Sequence, residues 1–98
     1  MEEADKSILK KLTQLKELLI SEGYNTLSME INGFIYGIEN EDLETFEKHY
    51  KSLNIWGGAG SLRDIDFRDY NKNRLRDDTL KSLKQYKRKN DKPFWKFW

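Results

Sequence analysis

Apolar residues in the N-terminal part of the chain recur at helical spacing. Ile8, Leu12, Leu15 and Leu19 fall on one stripe, with Leu9, Leu18 and Ile20 widening it, which predicts an amphipathic helix from about Asp5 to Glu22. Gly23 follows where a left-handed cap is expected, and the chain restarts with Asn25 or Thr26 as the cap of a second helix. Leu27, Ile31, Phe34, Ile35 and Ile38 form its apolar face. Gly33 and Gly37 each weaken that helix by about 1 kcal/mol relative to alanine, and "FIYGI" also suits a strand. The helix is preferred because glycines four apart leave a bare face on which a neighbouring helix can approach closely.

A third helix starts near "ENEDLE", where Asn40 can cap and Glu41, Asp42 and Glu44 sit in the first turn with the sign the helix dipole favours. Its apolar face reads Leu43, Phe46, Tyr50 and Leu53. In "LRDIDFRDYNKN", Leu62, Ile65, Phe67 and Tyr70 alternate with charges, which suits a short helical turn followed by an extended piece. A fourth helix from about Arg74 to Lys89 places Leu75, Leu80, Leu83 and Tyr86 near one face, with Lys87, Arg88 and Lys89 in its last turn. Pro93 ends it. The pattern describes a mainly α fold: a small bundle of about four helices, with a Gly-rich joint after the third and an irregular or extended segment near 62–70.

The chain has 98 residues, enough for a single domain with one modest core. The absence of cysteine removes disulfide and thiolate chemistry and suits a reducing compartment. A single histidine, His49, makes a multi-histidine metal site impossible, and neither metal nor cofactor is expected. No apolar run approaches the roughly 20 residues of a membrane helix, and the acidic start "MEEADKSILKK" differs from a signal peptide, so a cytoplasmic protein is expected.

Charge changes the picture more than composition does. Residues 1–60 hold six Lys/Arg against eleven Asp/Glu, net −5, while residues 61–98 hold twelve against six, net +6. Such polarity predicts an acidic and a basic side, each able to steer a partner of opposite charge.

The stretch "NIWGGAGSLRD" is the first candidate for chemistry. A phosphate loop needs a lysine after its last glycine and a buried strand before its first, and a dinucleotide fingerprint needs a βαβ unit. Neither frame is present. The glycines therefore read as a joint that supplies positive φ at a helix exit, with Trp56 as a packing anchor and Ser61 capping a turn that contains Asp64. Ser61 lacks a hydrolase frame, and His49 in "EKHYK" reads as a solvated surface residue. The carboxylate pairs Asp64/Asp66 and Asp77/Asp78 are ordinary on a chain this charged. No catalytic residue is assigned, and the chain reads as a non-enzyme.

Two charged runs and an aromatic tail remain. Glu39, Glu41, Asp42, Glu44 and Glu47 read either as a solvated helix start or as a surface that imitates nucleic-acid phosphates to a basic partner. Lys81, Lys84, Lys87, Arg88, Lys89, Lys92 and Lys96 suggest the reverse, binding to RNA or DNA, yet the chain is near neutral overall and has no recognisable nucleic-acid module. The tail "PFWKFW", with Phe94, Trp95, Phe97 and Trp98, is expected to dock on the protein's own core, on a partner or on a membrane surface.

The order of these features resembles a group of small bacterial proteins with a "GGMGS"-like signature, some of them immunity proteins of contact-dependent growth inhibition and related polymorphic toxin systems. Here the motif reads "GGAGSLRD", with Ala59 at the methionine position, and the likeness spans about residues 8–67. The resemblance implies a helical protein without catalysis that binds and neutralises one cognate toxin, often a nuclease, inside the producing cell. Gly57, Gly58, Gly60, Ser61 and Asp64 carry over as motif positions with a structural role. The expected toxin contacts are Glu41, Asp42, Glu44 and Glu47, with Asp66 and Asp69 as a second cluster, and no small-molecule substrate. The alternative is a nucleic-acid or membrane-surface adaptor using Lys84, Lys87, Arg88, Lys89, Trp95 and Trp98.

Overall fold

Two identical spacings build the first half of the structure. Ile8, Leu12, Leu15 and Leu19 on one helix and Leu27, Ile31, Phe34 and Ile38 on the next all step by four, three and four residues, and all eight are buried. Each helix thus presents one continuous apolar stripe, and the two stripes face each other across a tight turn. Burying a side chain of this size contributes roughly 1.5–3 kcal/mol before chain entropy is counted.

The computed structural model describes residues 3–90. Over them the protein is a mainly α bundle of α1 (Glu3–Ser21), α2 (Asn25–Glu39), α3 (Leu43–Tyr50), the single-turn α4 (Leu53–Trp56), a 3-10 turn at Leu62–Asp64, and α5 (Tyr70–Asn90). Helix α5 runs antiparallel to α1, because Lys11 Nζ donates to Ser82 Oγ near the middle of both helices and Lys72 Nζ, at the start of α5, to Glu22 Oε1 just past the end of α1. That second bond raises the Lys72 pKa above its ordinary value. No helix among the described residues is long and apolar enough to cross a membrane. Lys92, Trp95, Trp98 and the rest of the aromatic tail lie outside the described residues.

Gly23 ends α1 as the sequence predicts. Its φ is +83°, its amide donates to the Ile20 carbonyl, and the Tyr24 amide donates to Leu19, which together make a Schellman closure. The same closure ends α2, with Glu41 to Ile38 and Asp42 to Gly37, but here the left-handed residue is Glu41, at φ +53°. The second segment is therefore helical, and its glycines have the packing role expected of them. A Cβ on Gly37 would fall 3.0 Å from the Phe46 amide nitrogen, and one on Gly33 would overlap the His49 ring. Helix α3 lies in the space those two glycines leave open.

Several boundaries differ from the sequence expectation. Neither Asn25 nor Thr26 caps α2; Asn25 is already helical and Tyr24 holds the cap position without a side-chain bond. Asn40 closes α2, its Nδ2 donating to Tyr36 O, and Asp42 caps α3 by accepting from the Thr45 amide and hydroxyl. Helix α3 stops at Tyr50 because Ser52 turns extended and its hydroxyl accepts from the Asn54 amide, starting α4 afresh. Leu53 is consequently 80% exposed and Ile55 is buried in its stead. Leu43 and Ile20, also expected on apolar faces, are exposed.

Helix α5 begins four residues earlier than the periodicity suggests. The Asp69 carboxylate accepts from the Asn71 and Lys72 amides, so Asp69 caps a helix that starts at Tyr70. Of the expected face of α5, Leu80 and Leu83 are buried and Tyr86 packs against the core, while Leu75 is only half-buried and Arg76 and Thr79 join the buried stripe. Aromatic rings link the layers: Phe34 to Phe46 at 5.3 Å, Phe46 to Tyr86 at 4.8 Å, and Tyr50 to Trp56 at 5.3 Å between centroids.

Candidate functional site

The corner between α2 and α3 gathers most of the predicted acidic contacts. Its geometry follows from the two helix ends: the Schellman closure throws Glu41 outward, and Asp42 then starts α3. Asp42 is committed to the fold, because hydrogen bonds from the Thr45 hydroxyl and amide hold its carboxyl below the usual range. Glu41 and Glu44 are exposed, and Glu47 pairs with Lys87 at 3.6 Å.

Beside this corner opens a groove of about 320 Å³ lined by Asp5, Ile38, Glu41, Leu43, Tyr86, Lys89 and Asn90. Leu43, 42% exposed, and Ile38 form its apolar part together with the Tyr86 ring. Burial pushes the Tyr86 phenol up, and the Asp5 and Glu41 carboxylates push in the same direction. The arrangement is an apolar centre with a charged rim.

The second acidic cluster lies at the other end of the bundle. Glu22 pairs with Lys72 there and the Tyr24 ring meets Phe67, whereas the corner meets the far end of α5 through Tyr86 and Lys89. Asp66 accepts from the Asn73 side chain and the Arg68 amide, which lower its pKa, and Asp69 is the α5 cap. The structure thus does not bring Asp66 and Asp69 to Glu41 and Glu44, and it gives both aspartates local hydrogen-bonding work.

Nor do the charges separate into two sides. The basic end of α5 packs against the acidic helix, with Lys87 paired to Glu47 and its Nζ 5.8 Å from the Tyr50 ring centroid. Lys84 Nζ sits 5.2 Å from the Trp56 ring. Arg88 and Lys89 are exposed near the same end. The sequence halves differ in charge, but the fold interleaves them along α5.

The glycine joint follows α4 rather than α3, and its glycines act for different reasons. Gly60 alone has positive φ, +88°. Gly57 is needed for close approach, since a Cβ there would press on the Leu53 carbonyl that its own amide binds. At Gly58 neither reason applies. Ser61 is buried, and its hydroxyl donates back to the Gly57 carbonyl instead of capping the following turn; Asp64 is exposed, its amide bonded to Ser61 O. Trp56 is half-buried against the core, with Nε1 donating to Tyr50 O at 2.7 Å.

Two residues carry more than the sequence suggested. Arg76 is buried and donates to the Leu62 and Ile65 carbonyls and to Asp77, stapling the 3-10 turn to α5. His49, expected in solvent, is half-buried over Gly33, its Nδ1 3.3 Å from Glu30 Oε2 and its ring edge-on to Phe34. Gly33 marks the face that His49 covers, a relationship that shows only once α3 is seen to cross α2 there. Among the described residues there is no group of three or more His, Cys, Asp or Glu placed to hold a metal ion.

Compared with family models, curated proteins and solved structures, the chain has no match.

Proposed function

We propose that this protein is a stoichiometric inhibitor of the immunity kind, which binds a cognate bacterial toxin in the cytoplasm of the cell that makes it. The observation that supports this most is the α2–α3 corner, where Leu43, Ile38 and Tyr86 form an apolar centre rimmed by Glu41 and Lys89. Protein interfaces are organised in this way, with buried anchors supplying affinity and rim charges supplying encounter rate and register.

Glu41 sharpens the reading. A left-handed cap position is cheapest with glycine, and a side-chain-bearing residue there costs about 1 kcal/mol or more. The chain keeps a carboxylate at that cost, on an exposed site, next to the exposed Glu44. Arg68 is exposed at a similar φ of +58°, so it is the place of Glu41 on the rim of the apolar corner, together with its strain, that supports a use outside the fold. A nuclease toxin, whose substrate surface must be basic, is a partner of fitting sign.

The adaptor reading has less support. Lys87 is engaged with Glu47, and Lys84 lies over an indole, so the basic end of α5 spends part of its charge within the protein. Co-expression tests the proposal: a toxin domain encoded in an adjacent reading frame should arrest growth when expressed alone, and this chain should restore it. Arrest that persists, with no complex recovered, rejects the proposal.

A further inference from the structure

One turn back along α5 from the Glu47–Lys87 pair, the surface changes sign. A shallow groove of about 200 Å³ is lined by Trp56, Arg63, Asp77, Leu80, Lys81 and Lys84. Three cations converge on it. Its one carboxylate, Asp77, is already held by the buried Arg76. Arg63 and Lys81 are exposed and form no ion pair among the described residues, whereas Lys72, Arg74 and Lys87 each face a carboxylate. Like charges gathered round a cleft repel one another, so an anionic occupant relieves that repulsion.

The groove is built by the glycine joint. Gly57 lets the backbone close on Leu53, Gly60 supplies the left-handed turn, and Arg76 clamps the Leu62 and Ile65 carbonyls. Together these lay Trp56 and Arg63 beside Leu80, Lys81 and Lys84 of α5. The glycine-rich stretch is therefore not a ligand cradle itself, but it positions one.

We infer that this groove seats an acidic segment of the protein partner, with one apolar side chain against Trp56 and Leu80 and flanking carboxylates answered by Arg63, Lys81 and Lys84. Size argues for a side chain rather than a metabolite, since small-molecule sites run to roughly 300–1,000 Å³. Trp56 gives the groove an apolar wall beside Leu80, with its N–H already bound to the Tyr50 carbonyl and its ring edge-on to Tyr50. A nucleic-acid strand is the competing occupant, which the oligouridylate probe below separates. The site accepts carboxylates around an apolar anchor.

This inference rests on the reading of the chain as a protein-binding module and adds the partner's charge pattern. Lys81 and Lys89 are separated by eight residues of α5, so the groove and the acidic corner lie roughly 12 Å apart along one helix. The matching partner surface places an acidic segment at that distance from a basic patch.

The test uses the full chain labelled with nitrogen-15 and two probes: a synthetic peptide of aspartates and glutamates around a single phenylalanine, and an oligouridylate of equal length. The peptide should shift the Trp56 indole resonance and the amides of Arg63, Lys81 and Lys84. Its affinity should weaken with salt and drop about tenfold or more in the Arg63→Glu/Lys81→Glu variant, consistent with loss of close charge pairs. Both substituted positions are exposed, and circular dichroism checks that the variant is folded before its affinity is read. Absence of shifts at the groove, shifts insensitive to charge reversal, or preference for the oligouridylate overturns the inference. Toxin neutralised equally well by the charge-reversed variant removes the groove from the binding face and leaves the inhibitor role standing. Failure of the unaltered chain to neutralise removes the inhibitor role itself.

Discussion

The imidazole of His49 stands where a side chain on Gly33 would be, so the approach of α3 to α2 depends on a hydrogen atom at that position. One turn later Gly37 faces the Phe46 backbone, which has less room to give than a ring that can rotate. Gly37→Ala should destabilise the protein by about 1–3 kcal/mol, because overpacking outweighs the roughly 1 kcal/mol alanine gains in a helix. Gly33→Ala should cost less, as the ring swings away from Glu30. Denaturant unfolding of the two variants checks the order.

Glu41 holds a left-handed position that glycine takes without strain. Glu41→Gly is expected to raise stability by about 1 kcal/mol while weakening toxin binding. Opposite movements of melting temperature and complex affinity are the measurable signature.

Arg76 satisfies two backbone carbonyls of the turn that follows the glycine joint. Arg76→Met keeps the volume but leaves those carbonyls without their donor, and should cost roughly 2–4 kcal/mol. Urea unfolding gives the value, and early exchange of the Ile65 amide would localise the loss to the turn.

Asp42 titrates below its ordinary range because Thr45 hydrogen-bonds the charged form. Its folded pKa is lower than its unfolded value of about 3.9, so its contribution is present above that value and lost as pH falls through the folded pKa. Asp66, held by Asn73 and Arg68, acts with the same sign. Melting temperature should therefore decline below about pH 4. Asp42→Asn should make that decline shallower while keeping a competent cap at neutral pH.

What the sequence made legible follows from the range of the forces involved. The first two helices rest on local periodicity and on Gly23, so their identity and core residues could be read directly. The α2–α3 boundary could not, because Asn40, Glu41 and Asp42 are all plausible there, and only the backbone geometry decides which one caps. The start of α5 was hidden by Asn71 and Asn73, weak helix formers near a good cap. Arg76 in "RLRDD" looks solvated until the turn that it binds is in place, and His49 needed the knowledge that α3 crosses at Gly33. Likewise Arg63 and Lys81 meet only in three dimensions, so the basic groove was invisible. Of the predicted acidic contacts, Glu41 and Glu44 are exposed; Glu47 pairs with Lys87, and Asp42, Asp66 and Asp69 serve turns and caps.

The proposal that this protein inhibits a toxin by binding it is tested most directly by titrating a purified toxin domain, chosen from the reading frames adjacent to this one, with the purified chain. Toxin activity should fall in a straight line and vanish at one equivalent, and the Glu41→Lys/Glu44→Lys variant should leave the toxin active under the same conditions. Full toxin activity at excess chain, with the two proteins eluting separately on size exclusion, would contradict the account.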